Sequence, residues 1–227
     1  MRTVRSFGLA LFAATVIPAL AGAQATKSAE KPGRGFEDSW YWGVKGGNTM
    51  FTSGESGATK INAATVGAEW LITRTRAALY ISIEQAFFDT KASVFDPTSA
   101  SSVRPVSISD LRRYNAGLFV FPLGHGSVRP YAGVGLAINV IQNAQPEGTY
   151  TSAEAQDAVF TAVDQMSSRT STVYTLGIQA QVARAALFVQ GSTMPTRNRF
   201  LINGAANTFM VEGGVRFNLL SAIEKLK

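Results

Sequence analysis

Cysteine is absent from these 227 residues, and histidine occurs once. Without thiols there is neither a disulfide framework nor thiolate chemistry, and one imidazole among scattered carboxylates makes no transition-metal site, so no cofactor is expected. Charge is sparse: 16% of residues are Asp, Glu, Lys or Arg, against about 25% in ordinary soluble domains. The formal charge is nonetheless +6. Its basic residues are spread along the chain instead of gathered in a patch, which argues against nucleic acid as a partner. Beyond Leu20 no apolar run approaches the roughly twenty residues that a spanning helix requires.

The apolar run that does occur, Phe7 to Leu20, follows Arg2 and Arg5 and ends in Ala21-Gly22-Ala23-Gln24-Ala25. It is too short to span a bilayer comfortably and offers two small-x-small cleavage choices, so 1–25 reads as a secretory signal. Residues 26–39, with Lys27, Glu30, Lys31, Pro32, Gly33 and Gly35, read as a polar leader.

What the rest of the chain has is alternation. Eight stretches of apolar-polar period two follow one another: Trp40 to Met50, Ala64 to Ile72, Ala77 to Phe88, Leu111 to Phe121, Val128 to Val140, Ser171 to Val182, Ala185 to Thr193 and Thr208 to Leu219. Short links, Thr73 to Arg76, Gly124 to Ser127 and Ala183-Arg184, alternate with long ones that start near Thr52, Asp89, Gln142 and Met194. This rhythm predicts an all-β fold, an eight-stranded antiparallel up-and-down transmembrane barrel over 40–219 with short periplasmic turns and long external loops. An even strand number leaves both termini on the short-turn side, and 220–227 reads as a periplasmic tail that can form a short helix.

A soluble lipocalin-like carrier shows the same alternation but hides its apolar face. The two faces decide between them. One carries Trp40, Trp42, Val44, Val66, Trp70, Leu79, Ile81, Ile83, Phe87, Tyr114, Leu118, Val134, Leu136, Ile138, Leu176, Val189, Val211 and Phe217, and is read as free of charge. The other mixes glycine and small polar residues with isolated charges, Lys45, Glu69, Glu84, Arg113, Arg129, Glu212 and Arg216. So thinly charged a face suits a narrow barrel interior whose charges pair, and makes a poor soluble exterior. Aromatic residues cluster at strand ends as two girdles, Trp40, Trp42, Trp70, Phe121, Tyr131 and Phe217 at the periplasmic ends and Phe51, Phe87, Phe88, Tyr114, Tyr174 and Phe209 at the external ones.

In the last stretch, Glu212-Gly213-Gly214-Val215-Arg216-Phe217-Asn218-Leu219 resembles the C-terminal assembly signal of outer-membrane barrels, carried by Glu212, Gly214, Phe217 and Leu219. With the strand count, 40–219 resembles the OmpA/OmpX-type barrel domain. The resemblance implies the cell outer membrane as location, and outer-membrane lipids and the barrel assembly machinery as partners. The stretch after Leu219 departs from members that end on the aromatic residue, and no counterpart of the peptidoglycan-binding module of OmpA itself is expected after the barrel.

Catalysis finds little support. His125 falls in a periplasmic turn between glycines, away from the external rim where a general base would be needed. Gly133-Val134-Gly135 lies within a strand with no helix after it, so it reads as room for close packing and not as a phosphate loop. The third long loop is more individual: Thr151-Ser152-Ala153-Glu154 forms a capping box, and apolar residues at helical spacing predict a short amphipathic helix from Thr151 to about Ser167, outside the membrane. The expected function is non-enzymatic, envelope integrity or surface interaction through the external loops. The alternatives are a narrow OmpW-like channel for small solutes or apolar ligands, and the secreted carrier.

Overall fold

The computed structural model describes residues 36, 38–53, 60–123, 126–196, 200–202 and 204–221. The signal read at 1–25, most of the leader, His125 and residues 222–227 lie outside this set. Within it, eight strands close into one antiparallel barrel in chain order: β1 (Ser39–Thr52), β2 (Lys60–Arg74), β3 (Ala77–Phe95), β4 (Val103–Val120), β5 (Val128–Pro146), β6 (Ser168–Val182), β7 (Ala185–Pro195) and β8 (Asn207–Ser221), with helix α1 (Ala153–Ser167) between β5 and β6. Closure leaves no unpaired strand edge in the wall, the condition for crossing lipid with β-structure.

Two of the short links are two-residue turns, Thr75-Arg76 and Ala183-Arg184. Thr75 and Ala183 take positive φ there, 44° and 55°, as tight hairpins that follow the strand twist require. On the opposite side the strands run farther than the alternation predicted. β3 reaches Phe95, β4 starts at Val103 and β5 continues to Pro146, so the stretches after Asp89 and Gln142, read as loop, are paired strand. A register shift between Ala86 and Asp89, with Asp110 at φ 56°, puts a bulge where the barrel wall gives way to this extension, and bulges bend and twist the strands that carry them.

The seam that closes the ring joins β1 to β8. Lys45 pairs with Gly214, Gly46 with Gly213 and Gly47 with Glu212, and a second shift at Trp40/Tyr41 lets β8 run past Leu219 to pair Ser221 with Ser39. The tail read from residue 220 therefore begins as strand. Gly214 is required by this seam, since a Cβ there would come within 2.9 Å of both the Lys45 backbone and the Phe188 ring.

Candidate functional site

The wall presents opposite chemistry to its two sides. Outward positions are large and apolar, with Leu136 58% and Leu176 70% exposed, a belt whose burial in lipid is the favourable outcome for a barrel of this size. Trp40, Trp70 and Phe217 stand exposed at the short-turn end of the belt and Phe87, Tyr114, Tyr174 and Phe209 at the other, so the girdles hold for these residues. Four aromatics assigned to them are instead inside. Phe121 and Tyr131 are buried in the lumen near the short turns, and Phe51 is buried with Phe88 packed against it near the other end, ring centroids 4.8 Å apart. Alternation explains the correction: Phe121 shares the parity of Arg113 and Phe119, and Tyr131 that of Arg129, so height along the strand misled where facing decides.

The lumen is filled in layers. At the short-turn end Phe36, inside the stretch read as leader, packs edge-on against Phe121 at 4.6 Å, and Arg129 lies half-buried over its ring at 4.4 Å. Thr73 fixes this plug by donating to the Phe36 carbonyl and accepting from the Ser39 amide at 3.1 Å. Above it Tyr80, Phe119 and Tyr131 stack in series, at 4.4 and 5.1 Å. Gly133 makes room for this stack, because a Cβ there would collide with the Phe119 ring.

The middle layer is ionic. Lys45 bridges Glu84 and Glu212, the latter at 3.0 Å, and donates to the Tyr80 hydroxyl at 2.8 Å. Glu84 also accepts from Arg113 at 2.9 Å, Ser82 at 2.8 Å and Asn115 at 2.6 Å. Glu69 pairs with Arg216, whose guanidinium lies 3.9 Å over the Phe188 ring and donates to Gln179 at 2.7 Å. Six of the charges named from the sequence are thus buried together, Lys45, Arg113 and Arg216 against Glu69, Glu84 and Glu212. Arg129 stands apart at the mouth. The balance of signs matters, because one unmatched charge in such a place costs several kcal/mol. Between these side chains lies a cavity of about 10 Å³ touching Glu84, Asn115, Gln190 and Glu212, room for roughly one water.

The far mouth is capped. Val159 and Val163 of α1 are buried against a cluster that includes Phe51, Val94, Ile108, Ile141 and Phe200; each such burial contributes about 1.5–3 kcal/mol. The helix begins at Ala153, two residues later than the sequence indicated. Ser152, not Thr151, is the N-cap, its hydroxyl accepting from Ala155 N at 3.2 Å. Hydrogen bonding near the cap holds the Glu154 carboxyl below its ordinary range.

Sequence reasoning missed the residue that ties this cap down. Arg104 donates to Asp96 at 2.6 Å, to the carbonyls of Glu147 at 2.8 Å and Thr149 at 3.1 Å, and lies 4.1 Å from the Tyr150 ring centroid. It joins the β3–β4 hairpin to the segment leading into α1. Asp96 in turn accepts from Thr98 N at 2.9 Å and Thr98 Oγ1 at 2.7 Å. The Thr98 hydroxyl bond first, and the Arg104 guanidinium after it, hold the Asp96 carboxyl below the usual carboxylate range.

The outer wall also carries polar groups that the sequence reading left out of it. Arg112, two residues before Tyr114 on the outward face, donates to Gln85 at 3.1 Å, and with Asp110 both line an open notch beside Val66, Ile83 and Phe87. Of the residues read as the assembly signal, Phe217 and Leu219 point outward, Glu212 faces the lumen and Gly214 sits in the seam. No cluster of three or more metal-ligating side chains occurs among the described residues.

Neither protein-family models nor curated proteins match this chain. Solved structures do. Neisserial surface protein A aligns at 9% identity and a TM-score of 0.53, covering 79% of this chain and 97% of its own. The attachment invasion locus protein Ail of Yersinia pestis aligns at 12% identity and 0.43, over 80% of this chain and 99% of its own. The translocator domain of autotransporter NalP from Neisseria meningitidis gives 10% and 0.32, over 80% and 88%. The likeness to the first establishes the fold, the eight-stranded up-and-down barrel of outer-membrane proteins.

Proposed function

We infer that this chain is an integral outer-membrane protein without catalytic activity, a sealed barrel that contributes to envelope integrity or to surface interaction through its external strands and helix. One observation carries the reading: a predominantly apolar belt outside encloses a lumen shut by side chains along its length. A secreted carrier needs the reverse arrangement, an apolar cavity inside a wetted wall. A channel needs a path, and the ionic layer leaves room for about one water. What remains available for work is the end beyond the belt, where β3, β4, β5 and α1 build a structured surface. The outer-membrane lipids and the barrel assembly machinery are the partners this reading requires.

Envelope fractionation and planar-bilayer recording test it together. The protein should sediment with outer membranes, resist extraction by carbonate and stay silent in the bilayer. Recovery in the soluble periplasmic or secreted fraction would overturn the membrane reading, and steady single-channel currents from the pure protein would replace it with the channel alternative.

A further inference from the structure

A guanidinium on the lipid-facing wall needs a reason. Near the middle of a barrel wall an outward arginine costs about 2–4 kcal/mol, falling to about 0–1 at the interface. From Val120, at the short-turn end of β4, to Arg112 the strand climbs about 20 Å, taking about 3.4 Å per residue and a tilt of about 40°. The belt is about 25 Å tall, so Arg112 lies at its far edge, where acyl chains give way to headgroups. Its surroundings are built. Cross-strand pairing sets Val66, Gln85 and Arg112 side by side on β2, β3 and β4, and the Gln85 amide oxygen accepts from Arg112 Nε at 3.1 Å, which aims the guanidinium along the wall. The bulge between Ala86 and Asp89 and the left-handed Asp110 open a notch at this point, with Ala68 and Ile83 below, Val66 beside Gln85, and Phe87 and Asp110 on the external side of Arg112. The Glu84 carboxylate behind it is turned inward and held by Lys45 and Arg113.

We propose that this notch binds one anionic phospholipid by a phosphodiester headgroup, the phosphate against Arg112 and an acyl chain along Val66, Ala68 and Ile83. An arginine fork suits a phosphate better than any neutral headgroup. The apolar floor suits the chain below it, so a lipid fits where free phosphate does not. Asp110 narrows the choice further, because its carboxylate disfavours a second negative charge in the notch and selects a singly charged diester over a monoester. The inference rests on the outer-membrane reading and deepens it.

The test is lipid retention by the full chain, folded in neutral maltoside detergent and followed by native mass spectrometry. Probes are phosphatidylglycerol, a chain-matched neutral diacyl glucoside, phosphatidic acid and inorganic phosphate. The parent should keep one phosphatidylglycerol and no glucoside, with inorganic phosphate unable to displace it. Arg112→Gln should weaken retention about tenfold, the worth of one charge-assisted hydrogen bond, and Arg112→Lys should keep most of it. Should Arg112→Gln not fold, Gln85→Leu, which removes the aiming contact, should show the same direction. Asp110→Asn should raise retention of phosphatidic acid relative to phosphatidylglycerol. Equal retention by the parent, Arg112→Gln and Gln85→Leu, equal binding of the glucoside, or displacement by inorganic phosphate would each overturn the site; an unchanged lipid ratio in Asp110→Asn would overturn the selectivity. Heat-modifiable migration of the parent separates the two levels. A parent that shows no such shift fails as a barrel, whereas a shifted parent that keeps no lipid refutes the notch alone.

Discussion

The Tyr80 hydroxyl donates to Glu69 Oε2 at 3.2 Å while accepting from Lys45 at 2.8 Å, so one phenol joins the two ion-paired groups of the lumen into a single network. Tyr80→Phe keeps the ring on Phe119 and removes only that link. It should lower the unfolding free energy in lipid vesicles by about 1–3 kcal/mol, measured by urea titration of tryptophan fluorescence. A double-mutant cycle with Glu69→Gln should show coupling; additivity of the two changes would mean that the groups act separately.

Glu84 holds two cations at once, and neutralising it leaves both without their counter-charge. Glu84→Gln should cost about 3–5 kcal/mol, more than Tyr80→Phe, and should introduce intermittent conductance in a planar bilayer where the parent is silent. Loss of stability equal to that of a surface substitution would show the network to be hydrated.

Leu136 is an outward residue at the middle of β5. Leu136→Arg should cost about 2–4 kcal/mol and impair assembly far more than Leu136→Ala. Identical unfolding curves for the two variants would contradict the lipid-facing assignment.

At the end of β8, Phe217→Ala combined with Leu219→Ala should leave the chain degraded or stalled before insertion. Removing residues 222–227, beyond the last paired residue Ser221, should be tolerated. Outer-membrane levels of the double variant, read by immunoblot against the parent, decide whether these side chains carry the signal.

The external hairpin should respond to acid late. Asp96 is held below the ordinary carboxylate range by Thr98 and Arg104, so its contribution is complete above the unfolded value of about 3.9 and is lost as pH falls through the lowered folded value. Hydrogen exchange in the β3–β4 hairpin should therefore be flat from neutral pH to about pH 5 and rise only below about pH 4. Arg104→Ala should produce that loosening at neutral pH.

Period-two alternation carried most of the fold. It marks which face of each strand is apolar, and eight such segments with alternating link lengths leave few topologies. It does not mark where lipid ends, because strands go on pairing in water, as β3, β4 and β5 do beyond Phe87, Tyr114 and Ile138. Phe51 and Phe121 were misplaced for a different reason: they are aromatic at strand ends, but parity sends them inward. The interior charges could be named from one sequence, but their partners depend on register and shear, which turns and bulges set. Arg104 with Asp96, and the notch at Arg112, depend on the bulge at Ala86/Asp89, for which the pattern holds no signal.

The seam between β1 and β8 governs how this protein becomes a ring in time. It joins the two ends of the chain, so it carries the largest loop-closure entropy of any pairing and is expected to form after the others. Gly46 opposite Gly213, with Gly47 and Gly214 beside them, leaves little side-chain contact there to offset that entropy. The compensation comes from Lys45, which reaches across the seam to Glu212. That lysine is then a fastener as well as a counter-charge: its loss should be felt chiefly as slow closure and a long-lived open sheet, a chain with its two edges still exposed to any neighbour that can pair with them.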